Sequence, residues 1–398
     1  MKYVILLGDG MSDWPVAELG GRTPLQAAHT PNMDYLARHG KTGQAHTVPE
    51  GMPTGSDVAA LTILGYDART LYSGRSPLEA ASMGIHLQPD DVALRCNLVV
   101  LGEADGRPIM ADFSGGHIPT EEARELVKTL NAELGNQVFH FFPGVSYRHC
   151  LVWRDGQLGM QLTPPHDITG RSILEFLPKG EGAEGLRRLM EDSQAIFHDH
   201  PVNVARRHRG EAAISSIWLW GAGKRPQIPS FRQQYGLTGA MISAVDLHKG
   251  LAIYAGLEPI SVPGATGWLD TNYAGKVAYA LQALQTRDFV FLHVEAPDEA
   301  GHQGDLTNKL RALEDFDARV VGPMLQGLHR DFDAFHVLLL PDHPTPIALK
   351  THVREPVPIA LYGTDVAPDT GQTFDETVRE RGSLDIQNGT EIMRLLLA

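Results

Sequence analysis

The sequence predicts an α/β fold, with a mostly parallel sheet flanked by helices and interrupted by an inserted α+β domain. Short apolar, β-branched runs alternate along the chain with patterns of helical length, which is typical of parallel strands joined by helical crossovers. Residues 91–211 differ in composition from the rest of the chain, with a Pro164-Pro165 pair and glycine-rich turns. The chain has 398 residues, and single cores stop growing near roughly 250–300 residues, so two domains are expected.

The predicted elements follow one another in an alternating order. Six apolar runs that end at acidic or glycine-rich turns are predicted strands: Tyr3–Leu7, Ile214–Trp220, Ala240–Val245, Phe289–Val294, Phe335–Leu340 and Val357–Tyr362. Four patterns of helical length are predicted helices: Met33–His39, Asp57–Leu64, Lys276–Thr286 and Thr307–Leu328. We therefore assign residues 1–90 and 212–398 to the α/β core and residues 91–211 to the insertion, which has the size of an ordinary domain.

Composition excludes several classes of function. The chain carries 48 acidic and 34 basic residues, a formal charge of −14, and no run of lysine and arginine that could follow a phosphate backbone, so we expect no nucleic-acid partner. Two cysteines cannot form a disulfide framework, which indicates a reducing compartment. The start of the chain is expected to be a strand and no apolar stretch approaches a membrane span of about 20 residues. These observations predict a cytoplasmic protein with no membrane partner.

Candidate metal ligands follow the predicted strands, where ligands bind in open α/β sheets. One by one, such residues are usually turn or helix-cap residues. Together they supply the carboxylate and imidazole groups that Zn²⁺ or Mn²⁺ prefers. Five candidates come after predicted strands, namely Asp9, Asp298, His302, Asp342 and His343, and a sixth, His352, lies just before the last predicted strand. One helical turn would aim Asp298 and His302, four residues apart, at a common ion.

Ser56 lies at the predicted start of a helix, in the segment Pro53-Thr54-Gly55-Ser56-Asp57. It could be an ordinary N-cap residue. Alternatively, the amide dipoles at the helix start would favour a serine alkoxide and a phosphate bound to it. A serine hydroxyl is too weak an acid to ionise alone near neutral pH, so a metal ion would have to assist.

Other phosphate and nucleophile motifs are missing from the sequence. There is no G-x-x-x-x-G-K-[ST] motif, and the segment from Gly8 to Asp13 lacks the third glycine of a dinucleotide fingerprint. No G-x-S-x-G motif surrounds Ser56. A metal-dependent serine nucleophile is the interpretation that remains.

Several ordered motifs together resemble the cofactor-independent phosphoglycerate mutases of the archaeal type, within the alkaline phosphatase superfamily. These motifs are Leu7-Gly8-Asp9-Gly10, Pro53-Thr54-Gly55-Ser56-Asp57, Asp298-Glu299-Ala300-Gly301-His302, Asp342-His343-Pro344-Thr345-Pro346 and His352. Similarity continues in the insertion, for example in Thr163-Pro164-Pro165-His166-Asp167. The resemblance implies an alkaline-phosphatase-like core, a substrate-capping insertion, and interconversion of 3-phosphoglycerate and 2-phosphoglycerate through a phosphoserine.

The resemblance also implies residue roles. Asp9, Ser56, Asp342 and His343 would surround one divalent ion, and Asp298, His302 and His352 would hold a second, the ions being Mn²⁺, Zn²⁺, Co²⁺ or Mg²⁺. Ser56 would be the nucleophile. The small phosphorylated substrate would contact Lys249, Arg148, His149 and Arg171.

Two departures from the archaeal pattern leave the substrate open. Pro341 precedes Asp342, and Val353-Arg354-Glu355 follows His352, as in a bacterial branch proposed to contain homoserine kinases. The alternatives are therefore a phosphotransferase with another substrate on the same scaffold, or a non-catalytic metal-binding homologue. The sequence does not indicate the oligomeric state.

Overall fold

The computed structural model describes residues 1–370 and 373–398, which form two compact units. The core unit consists of Met1–Tyr72 and Gln227–Ala398, and the inserted unit is Ser73–Pro226. The inserted unit extends beyond the predicted range 91–211 at both ends. It does so because a helix at Ser76–Ser82 packs against its sheet and a strand at Ser216–Lys224 belongs to that sheet.

The strands and helices are numbered in chain order. The strands are β1 (Lys2–Gly8), β2 (Lys41–Ala45), β3 (Val92–Ala104), β4 (Arg107–Asp112), β5 (Phe139–Val145), β6 (Arg148–Trp153), β7 (Ser216–Lys224), β8 (Gly239–Ile242), β9 (Glu258–Ile260), β10 (Phe289–Val294), β11 (Phe335–Leu340), β12 (Val357–Gly363) and β13 (Leu384–Ile386). The helices are α1 (Pro24–Ala27), α2 (Pro31–His39), α3 (Ser56–Ile63), α4 (Ala68–Leu71), α5 (Ser76–Ser82), α6 (Thr120–Glu133), α7 (Ala183–His198), α8 (Pro201–His208), α9 (Phe231–Tyr235), α10 (Asp246–Ala255), α11 (Tyr273–Leu284), α12 (Ala296–Gln303), α13 (Leu306–Phe316), α14 (Gly322–Asp331), α15 (Val378–Arg381) and α16 (Ile392–Leu397).

The core unit is built on a mostly parallel sheet, as the sequence predicted. In the described part of the chain its eight strands run in the order β13-β2-β12-β11-β1-β10-β8-β9. Within that set, β12 alone runs opposite to its neighbours. Strands β10 and β11 are buried along their whole length, which explains their continuous apolar sequences, since a parallel sheet is covered by helices on both faces.

The inserted unit is an α+β structure with an antiparallel sheet. Its strands follow the order β4-β3-β6-β5, and β7 also pairs with β3. The predicted strand Ile214–Trp220 is observed as β7 and therefore belongs to this sheet, although its sequence was assigned to the core. Its apolar run gave no indication of which sheet it joins, because both sheets bury such strands.

Most predicted elements of the core unit have the expected type. Strands β10 and β11 match their predicted ranges residue for residue. The predicted helix Thr307–Leu328 is divided into α13, a π-helical turn at Asp317–Val321, and α14. Pro323 has no N–H to donate to the carbonyl four residues earlier, so a regular α-helix cannot continue through this point.

Among residues 1–370 and 373–398, no helix combines the length and the apolar character that crossing a bilayer requires.

A buried ion pair joins α13 to the loop after β1. Lys309 is fully buried, and its Nζ lies 2.7 Å from Asp13 Oδ2. The same Nζ donates to the backbone oxygen of Thr345 at 2.7 Å. Asp13 in turn accepts from the backbone N–H of Ile347 at 3.1 Å. The pair of Lys309 and Asp13 therefore connects the loops that follow β1 and β11.

We predict that Lys309→Met lowers the free energy of unfolding by about 3–5 kcal/mol, because it leaves the Asp13 carboxylate buried without its cation. Urea unfolding of the metal-free protein measures this loss. The double variant Asp13→Leu with Lys309→Met should recover a large part of it, since no uncompensated charge is then buried. Equal stability of Lys309→Met and the wild type would contradict this account.

Candidate active site

The sheet gathers the predicted ligands at the carboxyl ends of its three central strands. Strand β1 lies between β10 and β11, with Leu7 opposite both His293 and Leu340. Asp9 directly follows β1, Asp342 follows β11 after one proline, and Asp298 lies in α12, just after β10. Because the three strands are parallel and in register, their ends and the side chains that follow them converge at one edge.

Gly10 allows this convergence. Its φ angle is +59°, and an added Cβ would lie 2.6 Å from Asp298 Oδ1 and 2.6 Å from Thr345 Oγ1. Its N–H donates to Asp342 Oδ1 at 3.1 Å. A side chain at this position would therefore be both strained and in collision with the site.

The first group of predicted ligands, here called the serine-side cluster, consists of Ser56, Asp9, Asp342 and His343. His343 Nε2 lies 3.1 Å from Asp342 Oδ2, 3.8 Å from Asp9 Oδ1 and 3.2 Å from Ser56 Oγ. Asp9, Asp342 and His343 are fully buried.

The second group, here called the distal cluster, consists of Asp298, His302 and His352. His302 Nε2 lies 3.1 Å from Asp298 Oδ2, and His352 Nε2 lies 3.4 Å from Asp298 Oδ1. The two Nε2 atoms are 2.8 Å apart. The ring centroids of His343 and His352 are 4.0 Å apart, with the ring planes tilted by 31°, so the two clusters adjoin each other.

The positions of the ring protons of His302 and His352 show which of their nitrogens carry free lone pairs. Nδ1 of His302 is 3.0 Å from the carbonyl oxygen of Lys350, and Nδ1 of His352 is 2.7 Å from that of Thr54. A carbonyl oxygen can only accept, so in the neutral rings the proton sits on Nδ1 and the Nε2 lone pairs face each other. Such an arrangement is repulsive unless a proton or a cation lies between the nitrogens, and histidine ligands are commonly oriented in this way.

The serine-side cluster likewise contains acceptors without donors. Within the described part of the chain, Asp9 Oδ1 and Asp342 Oδ2 are buried and have no hydrogen-bond partner. Asp342 Oδ1, by contrast, accepts from the N–H groups of Gly10 and His343. Buried carboxylate oxygens are rarely left unsatisfied. Both clusters therefore fit divalent cations that take mixed nitrogen and oxygen ligands.

The ionisation of these groups reflects the crowding of charge. Burial, together with the neighbouring carboxylates of Asp342, Glu295 and Asp298, raises the pKa of Asp9 well above its usual value. Although burial opposes it, hydrogen bonding with His302 and His352 holds the pKa of Asp298 well below its usual range. Against its own burial, His302 has a pKa raised to about 9 by Asp298. Protons thus occupy positions where an ion would bind, and ion binding must release them.

Ser56 is the first residue of α3, and it does not act as the cap of this helix. The N-cap is Gly55, and no side-chain capping bond is present among the described residues there. Instead Ser56 Oγ faces His343 Nε2 at 3.2 Å. The interpretation of Ser56 as an ordinary N-cap is therefore wrong.

His293 is a residue of the site that sequence reasoning missed. Its Nε2 lies 2.8 Å from Asp9 Oδ2, and its Nδ1 lies 2.9 Å from Ser243 Oγ. It is fully buried. The signal was present, because His293 is the one polar residue in the apolar strand Phe289–Val294.

The predicted substrate residues divide between the two units. Lys249 lies in α10 of the core unit, with its Nζ 3.6 Å from Asp246 Oδ1. Arg148, His149 and Arg171 belong to the inserted unit, where both arginines are exposed. His149 is buried, and burial lowers its pKa to about 3. It therefore stays neutral and could offer a substrate only an uncharged N–H.

The fold and the convergent side chains define a class, the α/β proteins that carry two clusters of carboxylate and imidazole groups at the strand ends of a mostly parallel sheet. Residues 37–203 match the family model described as 2,3-bisphosphoglycerate-independent phosphoglycerate mutase. A protein of Geobacter sulfurreducens, named as a probable mutase of this kind, is 54% identical over 100% of both chains. A mutase of this name from Methanosarcina barkeri is 53% identical, over 100% of this chain and 99% of its own.

A solved structure agrees with these relatives. The PH0037 protein of Pyrococcus horikoshii matches with a TM-score of 0.84 and 31% identity, over 100% of this chain and 97% of its own. The chain belongs to the 2,3-bisphosphoglycerate-independent phosphoglycerate mutase family. The resemblance noted from the sequence motifs is thereby confirmed.

We predict that Mn²⁺ stabilises the chelator-treated protein, since a cation would relieve the repulsion among the buried acceptor atoms. An ion concentration 100-fold above its dissociation constant should add about 2.7 kcal/mol per site. Thermal melting with and without ions measures the effect, and Ca²⁺, which prefers oxygen ligands, should be less effective than Mn²⁺.

Two histidine substitutions, one inside the distal cluster and one outside it, test this prediction. His302→Ala should reduce the gain from Mn²⁺, whereas His39→Ala, on the exposed face of α2, should leave it unchanged. An identical melting curve for wild type with and without Mn²⁺ would contradict the predicted metal centre.

Proposed function

We propose that the protein interconverts 3-phosphoglycerate and 2-phosphoglycerate, independently of 2,3-bisphosphoglycerate and through a phosphoserine on Ser56. The observation that carries this proposal is the 3.2 Å approach of Ser56 Oγ to His343 Nε2, beside unsatisfied carboxylate oxygens. The names of relatives at 53–54% identity over the whole chain support the choice of substrate.

The metal part of the proposal follows the two clusters. Asp9, Ser56, Asp342 and His343 would hold one divalent ion, and Asp298, His302 and His352 the other, with Mn²⁺, Zn²⁺, Co²⁺ or Mg²⁺ as the candidates. Such ions act as Lewis acids that lower the pKa of a bound hydroxyl and offset charge on phosphoryl oxygens. The supporting evidence is the set of buried acceptor atoms that lack donors.

The reaction conserves the phosphoryl group. Ser56 Oγ loses its proton and forms a bond to phosphorus as the bond from phosphorus to the 3-oxygen breaks, and that oxygen takes up a proton. The glycerate then turns, and its 2-oxygen loses a proton and forms a bond to phosphorus as the bond from phosphorus to Ser56 Oγ breaks. Ser56 Oγ takes up a proton and is a hydroxyl again. The amide groups at the start of α3 would favour the negative charge of the phosphoserine.

The proposed substrate residues are those that the sequence resemblance implies. Lys249, Arg148 and Arg171 would contact the phosphate or carboxylate, and His149 would contribute an N–H. The inserted unit would act as the cap, because a glycerate that escapes before the second transfer would turn the mutase into a phosphatase. The cytoplasmic location stays a prediction from the sequence.

We predict that Ser56→Ala lowers mutase activity by at least about 10³-fold. Stability should be preserved, because the structure shows no capping bond from Ser56 to any described residue. Ser230, the N-cap of α9, is the matched control, since its side chain accepts from the N–H of Gln233. Ser230→Ala should cost about 1 kcal/mol of stability and leave activity intact.

The phosphoserine itself can be detected. Acid quenching of wild type during turnover, followed by peptide mass spectrometry, should find the phosphoryl group on Ser56. A phosphoryl group on another residue, or full activity in Ser56→Ala, would refute the assignment of the nucleophile.

We predict that isomerisation needs neither ATP nor 2,3-bisphosphoglycerate, because the phosphoryl group is recycled through Ser56. Phosphorus NMR of Mn²⁺-loaded protein with 3-phosphoglycerate follows the formation of 2-phosphoglycerate directly. ATP-dependent phosphorylation of homoserine without any isomerisation would overturn the proposed function.

A further inference from the structure

Thr345 connects the two clusters through one hydroxyl group. It is fully buried, and its Oγ1 lies 2.5 Å from Asp298 Oδ1 in the distal cluster and 3.2 Å from His343 Nδ1 in the serine-side cluster. Thr345 lies between Pro344 and Pro346, and the sequence analysis assigned no chemical role to this threonine.

The hydrogen-bond chemistry fixes the direction of both contacts. A hydroxyl has one proton, and an ionised carboxylate can only accept. The Thr345 hydroxyl therefore donates to Asp298, and its lone pair accepts the N–H of His343 Nδ1. The Nε2 atom of His343 is consequently unprotonated, with its lone pair available on the side where Ser56 and Asp342 lie.

The backbone of Thr345 is fixed by its neighbours. The backbone N–H of Thr345 donates to the oxygen of Ser12 at 3.1 Å, and the backbone oxygen accepts from Lys309 Nζ at 2.7 Å. Gly301 packs directly against this turn, since an added Cβ would lie 2.6 Å from the Thr345 oxygen. The threonine is thus held from three sides by the core unit.

We propose that Thr345 is a positioning residue that orients one ligand in each of the two metal clusters, so that a single hydroxyl strengthens ion binding at both. It fixes the tautomer of His343 and the rotation of the Asp298 carboxylate without itself contacting the substrate. Residues that orient metal ligands typically contribute 10–100-fold in affinity. The inference rests on the metal sites of the proposed function.

Manganese titration of the demetallated protein tests this role, with calorimetry and electron paramagnetic resonance resolving two binding steps. Thr345→Val keeps the shape of the side chain and removes the hydroxyl, and it should weaken both steps by about 10–100-fold. Thr345→Ser should restore both. Thr238→Val is the control. Thr238 also donates to a carboxylate, Asp288 Oδ2 at 2.8 Å, but it lies just before the amino end of β8, whereas the clusters lie at the carboxyl ends of the strands.

Unchanged affinity at both steps in Thr345→Val, or weakening of one step only, would overturn the proposal. If the wild type binds no Mn²⁺, the proposed metal sites are overturned together with the role of Thr345. If the wild type and Thr345→Val both bind Mn²⁺ in two steps of equal affinity, only the role of Thr345 is overturned.

A measurement on the wild type does not depend on how the variant folds. Nitrogen NMR of the histidine rings in the demetallated protein should find His343 protonated on Nδ1 and not on Nε2. The opposite tautomer would refute the role of Thr345.

Discussion

The repulsion among buried acceptor atoms is the constraint on which the rest of the site depends. Among the residues that the structure describes, Asp9 Oδ1 and Asp342 Oδ2 lie without hydrogen-bond donors beside the Nε2 atom of His343. Two further imidazole nitrogens face each other 2.8 Å apart. Such a concentration of lone pairs in a buried environment is unfavourable by itself. It persists because the surrounding fold determines where each side chain points.

The parallel sheet fixes where these side chains point. Strands β1, β10 and β11 end at one edge, and the predicted ligands Asp9, Asp298 and Asp342 come shortly after these ends. The spacing of the strands therefore sets how far apart these three carboxylates lie. Gly10, the pair of Lys309 and Asp13, and Thr345 then join the loops to one another. None of these residues needs to touch a substrate, yet each one restricts the positions that the ligands can adopt.

The sequence predicted the core strands well because a buried parallel strand leaves an unmistakable apolar run, as at Phe289–Val294. It also predicted which polar residues converge, since the carboxyl ends of parallel strands meet. It could not predict that Ile214–Trp220 belongs to the other sheet, because burial in either sheet requires the same side chains. The role of Thr345 was equally hidden, since it depends on the direction of a hydroxyl proton that only the three-dimensional contacts determine.

The most direct test of this account is a crystal structure of the Mn²⁺-loaded protein with anomalous scattering data at the manganese edge. The account predicts two anomalous peaks, one bound by Asp9, Asp342 and His343 beside Ser56, and one bound by Asp298, His302 and His352. The separation should be about 3.5–4 Å, as in two-metal sites, or somewhat larger. A single peak, or Asp9 and Asp342 bound to different ions, would contradict it.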